Sequence, residues 1–291
     1  MPEMPDLSFA LGLPPEQAIA YFETKGYTLS WAWREVWQEA HVRAFTVAGV
    51  LKLDVLTDIR TGIEQALKQG KTLSQFEREL EPLLKRRGWL GKGEIRDALT
   101  GEVAGRRLAP HRLATIYRTN MQTSYMAGRY KRFAENAAAR PYWEYVAVMD
   151  SRTRPEHAAL NGLVFPAGDS FWQSYWPPNG WRCRCRVSAL THGEAHAGGR
   201  TVQDSAGRIT EKEVPTGRPR PGQPMPTAPP MAKVARFEAR PGLFVSPDAG
   251  FSYNPGQAGA GMQEMVVRKL AQAPPDLAAQ AARELRKGKG S

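Results

Sequence analysis

The chain has 291 residues, 42% of them hydrophobic, which suffices for one medium core with appendages or for two small domains. Its 40 Lys and Arg against 29 Asp and Glu give a formal net charge of +11, which favours an anionic neighbour such as nucleic acid but does not specify a fold. No run approaches the roughly 18 apolar residues of a membrane span, and MPEMPDLSF has neither the basic nor the apolar region of a secretory leader, so folding in the cytoplasm is expected.

From Trp31 to Arg87 the pattern is helical. Leu56, Ile59, Ile63 and Leu67 form one apolar stripe, and Leu73, Phe76, Leu80, Leu83 and Leu84 form another. Gly70 ends the first helix, and Thr72 with Gln75 has the spacing of a capping box that starts the second, which predicts an antiparallel helical hairpin. Gly88, Gly91, Gly93 and Gly101 then loosen the chain.

A long helix is predicted from about Pro110 to Ala139. Arg118, Gln122, Tyr125, Arg129 and Arg132 recur at steps of four, three, four and three, so they share one face. That face is either simply solvated or a contact for phosphate or an acidic partner.

The character changes at Pro141. Tyr142 to Val148 reads as a strand, Pro155 to Leu160 as a short helix, and Leu163 to Phe165 and Arg184 to Val187 as further strands. The loop between the last two holds Trp172, Trp176, Pro177, Pro178 and Gly180, which makes a small, loop-rich β module with large aromatics supplying its core. Beyond about Gly198 the apolar pattern fades, and Pro215 to Pro230 reads as an extended linker. Phe244, Phe251 and Tyr253 suffice to dock the following segment on a surface, and Gly261 to Lys287 looks helical with a basic end.

The fold class expected is therefore α+β: a helical N-terminal region (1–109), an antiparallel β module (110–197), and a Pro-rich linker and arm with a terminal helix (198–291).

Common catalytic signatures fail. QGKTLSQ resembles the end of a phosphate-binding loop, yet Gln65 stands where the first glycine is required and no strand leads in. HExxH and GxSxG are absent. The one constellation with metal-ligand character is His157 with Cys183 and Cys185, with Asp150, His192 or His196 as candidates to complete it. Two thiols and an imidazole suit zinc, and residues two apart on a strand share a face, so both sulfurs can converge. The competing reading is a pair of buried free thiols beside a hydrogen-bonded histidine, since CxC is less specific than CxxC. Cysteines so close together cannot staple the fold by a disulfide framework. Arg152, Arg154, Arg182, Arg184 and Arg186 surround this cluster, and those alternating with the cysteines face outward if the thiols face inward. They suit phosphate or carboxylate, or else pair internally with Asp150, Glu156 or Asp169.

Three blocks, YRTNMQTSYMAGRY, PYWEYVAVMDSRTRPEHAALNGLVFPAGDSFW and WPPNGWRCRCRVSALT, between Tyr117 and Thr191, strongly resemble the Mu F-like, or phage head morphogenesis, family. Arg118, Thr119 and Asn120 correspond to its helix signature, Asp150, Arg152 and His157 to its turn and histidine, Asn161 and Gly162 to its bend, and Pro178, Gly180, Cys183 and Cys185 to its close. AFTVAGVLKLDV and the later FSYNPG are similar to the Mu F subgroup as well. The resemblance implies a low-copy minor head protein of a tailed phage or prophage, incorporated into the procapsid near the portal and not an enzyme. Its expected partners are portal and capsid or scaffold proteins and, nonspecifically, packaged double-stranded DNA, with no membrane. The alternative reading is a metal-assisted nuclease or hydrolase built on Asp150, His157, Cys183 and Cys185.

Overall fold

The computed structural model describes residues 15–30, 44–97, 100–216 and 231–259. The N-terminal part contains α1 (Pro15–Glu23), β1 (Gly26–Tyr27), β2 (Ala44–Phe45), α2 (Leu53–Gln69) and α3 (Leu73–Arg86). Helix α2 buries Val55, Leu56, Ile59, Ile63, Ala66 and Leu67, and α3 buries Phe76, Leu80 and Leu84, so the two apolar stripes face each other as their periodicity requires. Gly70 takes a left-handed φ of 63° and closes α2 with its N–H on the Ala66 carbonyl. Two residues later, the Thr72 hydroxyl accepts from the Gln75 N–H while Gln75 Oε1 accepts from the Thr72 N–H, which completes the capping box.

Two features here depart from the periodicity. The helical reading from Trp31 to Arg87 fails at Ala44–Phe45, which pairs in parallel with Gly26–Tyr27; residues 31–43 lie outside the described residues. The glycine-rich stretch is not merely loose. It frames an antiparallel hairpin of β3 (Glu94–Arg96) and β4 (Val103–Arg106), whose flanking glycines take positive φ.

Helix α4 (Pro110–Glu135) is the spine of the molecule. Its first half contributes Leu113, Tyr117 and Met121 to the core made by α1, α2 and α3, and its second half contributes Met126 to a separate aromatic core. That second core is covered by a three-stranded antiparallel sheet in the order β6-β5-β7: β5 (Tyr142–Val146), β6 (Val164–Pro166) and β7 (Arg186–Leu190). The short helices α5 (Pro155–Ala158), α6 (Phe171–Tyr175) and α7 (His192–Ala195) lie between or after these strands. Trp143 and Tyr145 alternate inward from β5 against Phe171, Trp172, Tyr175 and Trp176. Trp181, from the loop that follows, is instead 40% exposed and edge-on to Phe251 at 5.0 Å.

The free edge of β7 explains the polar face of α4. Gln122 Nε2 donates to the Cys185 carbonyl at 2.7 Å, Arg129 Nη1 to the Val187 carbonyl at 3.1 Å, and Arg140, just past the helix, to the Ala189 carbonyl at 2.8 Å. Carbonyls two apart along an edge strand point the same way, so donors spaced along one helix face satisfy them in turn. Part of the stripe that reads as a solvated basic face is internal.

Residues 209–245 hold a feature the apolar pattern does not announce. A second three-stranded antiparallel sheet, β10-β9-β8, is built from β8 (Ile209–Pro215), β9 (Met231–Arg240) and β10 (Leu243–Val245). It docks Ala235, Phe237, Ala239 and Val245 into the aromatic core. Residues 217–230, within the Pro-rich stretch, and residues 260–291, where the terminal helix is predicted, lie outside the described residues. The segment after β10 docks as expected: Tyr253 is buried with Tyr21 and Ala127, and Asn254 Nδ2 donates to the Trp172 carbonyl at 2.9 Å. Phe244, by contrast, is 42% exposed. No helix among the described residues is long and apolar enough to cross a membrane.

A cavity of about 240 Å³ lies between the N-terminal part, α4 and this last segment, lined among others by Lys25, Phe45, Arg112, Thr119 and Phe251. Burial, reinforced by the neighbouring Arg60 charge, lowers the Lys25 ammonium from its ordinary 10.5 to about 7. The unfolded chain therefore holds this proton up to pH 10.5 while the folded chain releases it near pH 7, so between those values the unfolded state binds more protons and stability rises with pH. Measured by urea unfolding, the wild-type protein should gain up to about 1.4 kcal/mol per pH unit over a Lys25→Met variant across that window. Parallel pH profiles for the two proteins would overturn this assignment.

Candidate metal centre

His157, Cys183 and Cys185 are all buried, and one ligand atom from each lies within 4.8 Å of the other two. Three elements bring them together. Pro155, at the first turn of α5, starts the short helix that carries His157 inward. Arg182 takes a left-handed φ of 61°, which turns the chain out of the loop ending at Gly180, and the backbone then runs extended into β7. From Cys183 to Val187 burial alternates, so both sulfurs and Val187 face the core while Arg184 and Arg186 face away.

The thiols sit among hydrogen-bonding groups. Cys185 Sγ lies 3.4 Å from His157 Nδ1. Tyr145, itself buried, places its hydroxyl within reach of Cys185 and donates to Asn179 Oδ1 at 2.8 Å. The Asn179 backbone N–H reaches Cys183. Burial raises the Cys183 thiol, but the hydrogen bonds from Cys185 and His157 outweigh it and carry that thiol well below its ordinary range. Cys185 is pushed up, first by sharing its proton with Cys183 and then by burial. The two thiols are linked through the proton they share, so what lowers one raises the other.

The arginines divide. Arg184 holds both oxygens of Asp150, at 2.7 and 2.6 Å, and this contact, helped by the Arg152 N–H, keeps the Asp150 carboxyl far below the usual range. Asp150 is thereby paired with Arg184 and does not join the Cys/His cluster. Arg154 grips both oxygens of Asp248 from β10's trailing segment, at 2.8 and 2.9 Å. Arg129 is largely buried on the Val187 carbonyl, and burial followed by the charges of Arg186 and Arg132 lowers it to about 10. Arg118 and Arg132 are half-buried on α4, Arg186 is half-buried on β7, and Arg152 and Arg182 are exposed. The internal pairing with Asp150 was legible as an option; that with Asp248 was not, because 94 residues separate it from Arg154.

His192 and His196 do not reach the centre. They pack tilted against each other at 4.5 Å and edge against Tyr142, beyond the far end of β7. A recess of about 20 Å³ opens over the cluster, rimmed by Val148, Arg152, Thr153, Arg154, Arg182 and Arg184. The residues present fit a zinc ion in donor type and in convergence.

The chain is thus a helix-spined α+β protein with a buried Cys/His cluster beneath an arginine rim. Residues 57–188 match the family described as Phage Mu protein F like protein, and the chain belongs to that family. It is 44% identical over 266 residues to the putative capsid assembly protein F of Escherichia phage Mu, covering 91% of this chain and 59% of that protein. It is also 40% identical over 245 residues to the Mu-like prophage FluMu F protein of Haemophilus influenzae, covering 84% of this chain and 57% of that one. The chain thus spans less than two thirds of the length of both relatives. No solved structure matches it.

Proposed function

We propose that this chain acts in phage head morphogenesis, as a minor protein built into the procapsid near the portal vertex and retained inside the head. The observation that supports this most is the 44% identity, sustained over 91% of the chain, to a protein named for capsid assembly. Its partners are portal and capsid or scaffold proteins, met in the host cytoplasm during assembly. The role is structural rather than catalytic: Asp150, the carboxylate a hydrolase built on the Cys/His cluster would draw on, is paired with Arg184. Packaged double-stranded DNA is a nonspecific neighbour, with exposed Arg152 and Arg182 as its first contacts and Arg118, Arg132 and Arg186 as flanking charge.

The test is fractionation of particles from a lysogen carrying a tagged copy. The tagged chain should sediment with procapsids and heads, and its absence from both would overturn the reading. Purified protein should bind duplex DNA with an affinity that falls by a log–log slope of about −0.9 per phosphate neutralised. Arg152→Glu with Arg182→Glu should flatten that slope; a slope indifferent to both changes would remove DNA from the proposal.

A further inference from the structure

We infer that His157, Cys183 and Cys185 hold a zinc ion whose fourth position faces the arginine-rimmed recess and is filled by water. Tetrahedral zinc with bonds of about 2.3 Å to sulfur and 2.0–2.1 Å to nitrogen sets its ligand atoms about 3.6–3.8 Å apart. Here Cys185 Sγ and His157 Nδ1 are 3.4 Å apart and all three ligand atoms fall within 4.8 Å, so small side-chain adjustments seat the ion. Two thiolates and an imidazole select zinc over the oxygen-seeking calcium and magnesium.

The surroundings are those of a ligand set rather than of inert core thiols. A buried apolar Cys needs no polar company, yet both sulfurs here have a polar group beside them: the Tyr145 hydroxyl, which itself donates to Asn179 Oδ1, at Cys185 and the Asn179 N–H at Cys183. Such polar neighbours orient sulfur ligands. Neither comes from the three ligand residues, so the shell is built by β5 and by the loop before Cys183.

The fourth position follows from geometry. No other His, Cys, Asp or Glu among the described residues joins the cluster. The recess above it offers about 20 Å³, and one water needs about 10–15 Å³ of such space. Two thiolates neutralise the dication, and the rim of Arg152, Arg154, Arg182 and Arg184, in which Asp248 and Asp150 balance Arg154 and Arg184, stays net positive toward that water or a small anion in its place. The ion would bind α5 to the chain entering β7, reinforcing the His157–Cys185 contact between them.

The experiment uses the full chain, purified under reducing conditions without chelator. Elemental analysis should find about one zinc per chain. After exchange, cobalt should give the intense visible bands of a tetrahedral ion and sulfur-to-cobalt charge-transfer absorption. Both should be lost in Cys185→Ser and weakened in His157→Ala. Adding cyanide should shift the cobalt bands, because it enters the open position. Circular dichroism on the wild-type protein keeps the test independent of variant folding: a folded, reduced wild-type chain that takes up neither zinc nor cobalt overturns the inference. Bands indifferent to cyanide overturn the open position. Neither result bears on particle incorporation, which is read separately.

Discussion

Replacing Phe237 by alanine should destabilise the protein by about 3–5 kcal/mol, the usual cost of deleting a fully buried aromatic ring. The ring is 0% exposed and lies 5.0 Å from Phe171, 5.7 Å from Tyr175 and 5.9 Å from Phe165. Arg208 covers it with its guanidinium at 4.7 Å. Arg208 also donates to the carbonyls of Glu238 and Ala239, so the charge is held against the ring and not merely near it. A loss of that size is a large fraction of the roughly 5–15 kcal/mol by which domains are stable. Urea unfolding followed by tryptophan fluorescence would measure it. Phe244, on the neighbouring strand but 42% exposed, is the control. Its removal forfeits mainly the stacking of Arg236, whose guanidinium sits 3.8 Å from the ring, and should cost no more than about 1 kcal/mol. Equal effects at the two positions would mean that β8, β9 and β10 do not share the aromatic core.

Phe237 also marks what the sequence could not reveal. The α2–α3 hairpin was legible down to its caps, because Gly70, Thr72 and Gln75 act through their immediate neighbours. The β module was legible because Tyr142–Val146 alternates and Cys183, Cys185 and Val187 alternate with it. Strand β8 was not. Only its second-last residue and Ile209 are even half-buried among seven, so its place is set by pairing with β9, which local pattern does not encode. The same reasoning covers the arginines. Their alternation with the cysteines was readable, but whether each meets solvent, a carboxylate or a strand edge depends on partners far along the chain: Asp248 for Arg154, Val187 for Arg129. Gln122 belongs with them, since nothing in its helical face signalled that its amide would reach the carbonyl of a metal-ligand candidate.

These pairings give the candidate centre its position. Helix α4 fixes the backbone of Cys185 through Gln122, and Asp248 fixes the loop on the other side through Arg154 and the Trp181 N–H. The Asp248 N–H in turn donates to the Asn179 carbonyl, beside the N–H that reaches Cys183. The segment following the second sheet is thereby part of the shell around the thiols, although it lies outside residues 57–188 that carry the family match.

Gly256→Ala should release that segment. A Cβ at this position would fall well inside 3.0 Å of Tyr130 Cβ and 2.8 Å from ring atoms Cγ and Cδ1. The obstruction is not a mobile side-chain end, because the Tyr130 Cβ moves only if α4 moves, and its ring is packed edge-on against Trp176 at 5.2 Å and Trp143 at 5.8 Å. On the other side, Asn254 Oδ1 accepts the N–H groups of Gly256 and Gln257, and Asn254 Nδ2 holds the Trp172 carbonyl, so the segment cannot slide away without breaking a buried cap. Overpacking of this kind costs about 1–3 kcal/mol, and it falls on one docking contact, so local release should precede global unfolding. Hydrogen exchange should show faster exchange at residues 251–259 with the α2–α3 hairpin unchanged. Combining the change with Tyr130→Ala removes the ring contacts but keeps the Cβ one, so rescue should be partial. Full rescue would place the obstruction at the ring, and unaltered exchange in the single variant would mean that α4 yields where the packing says it cannot.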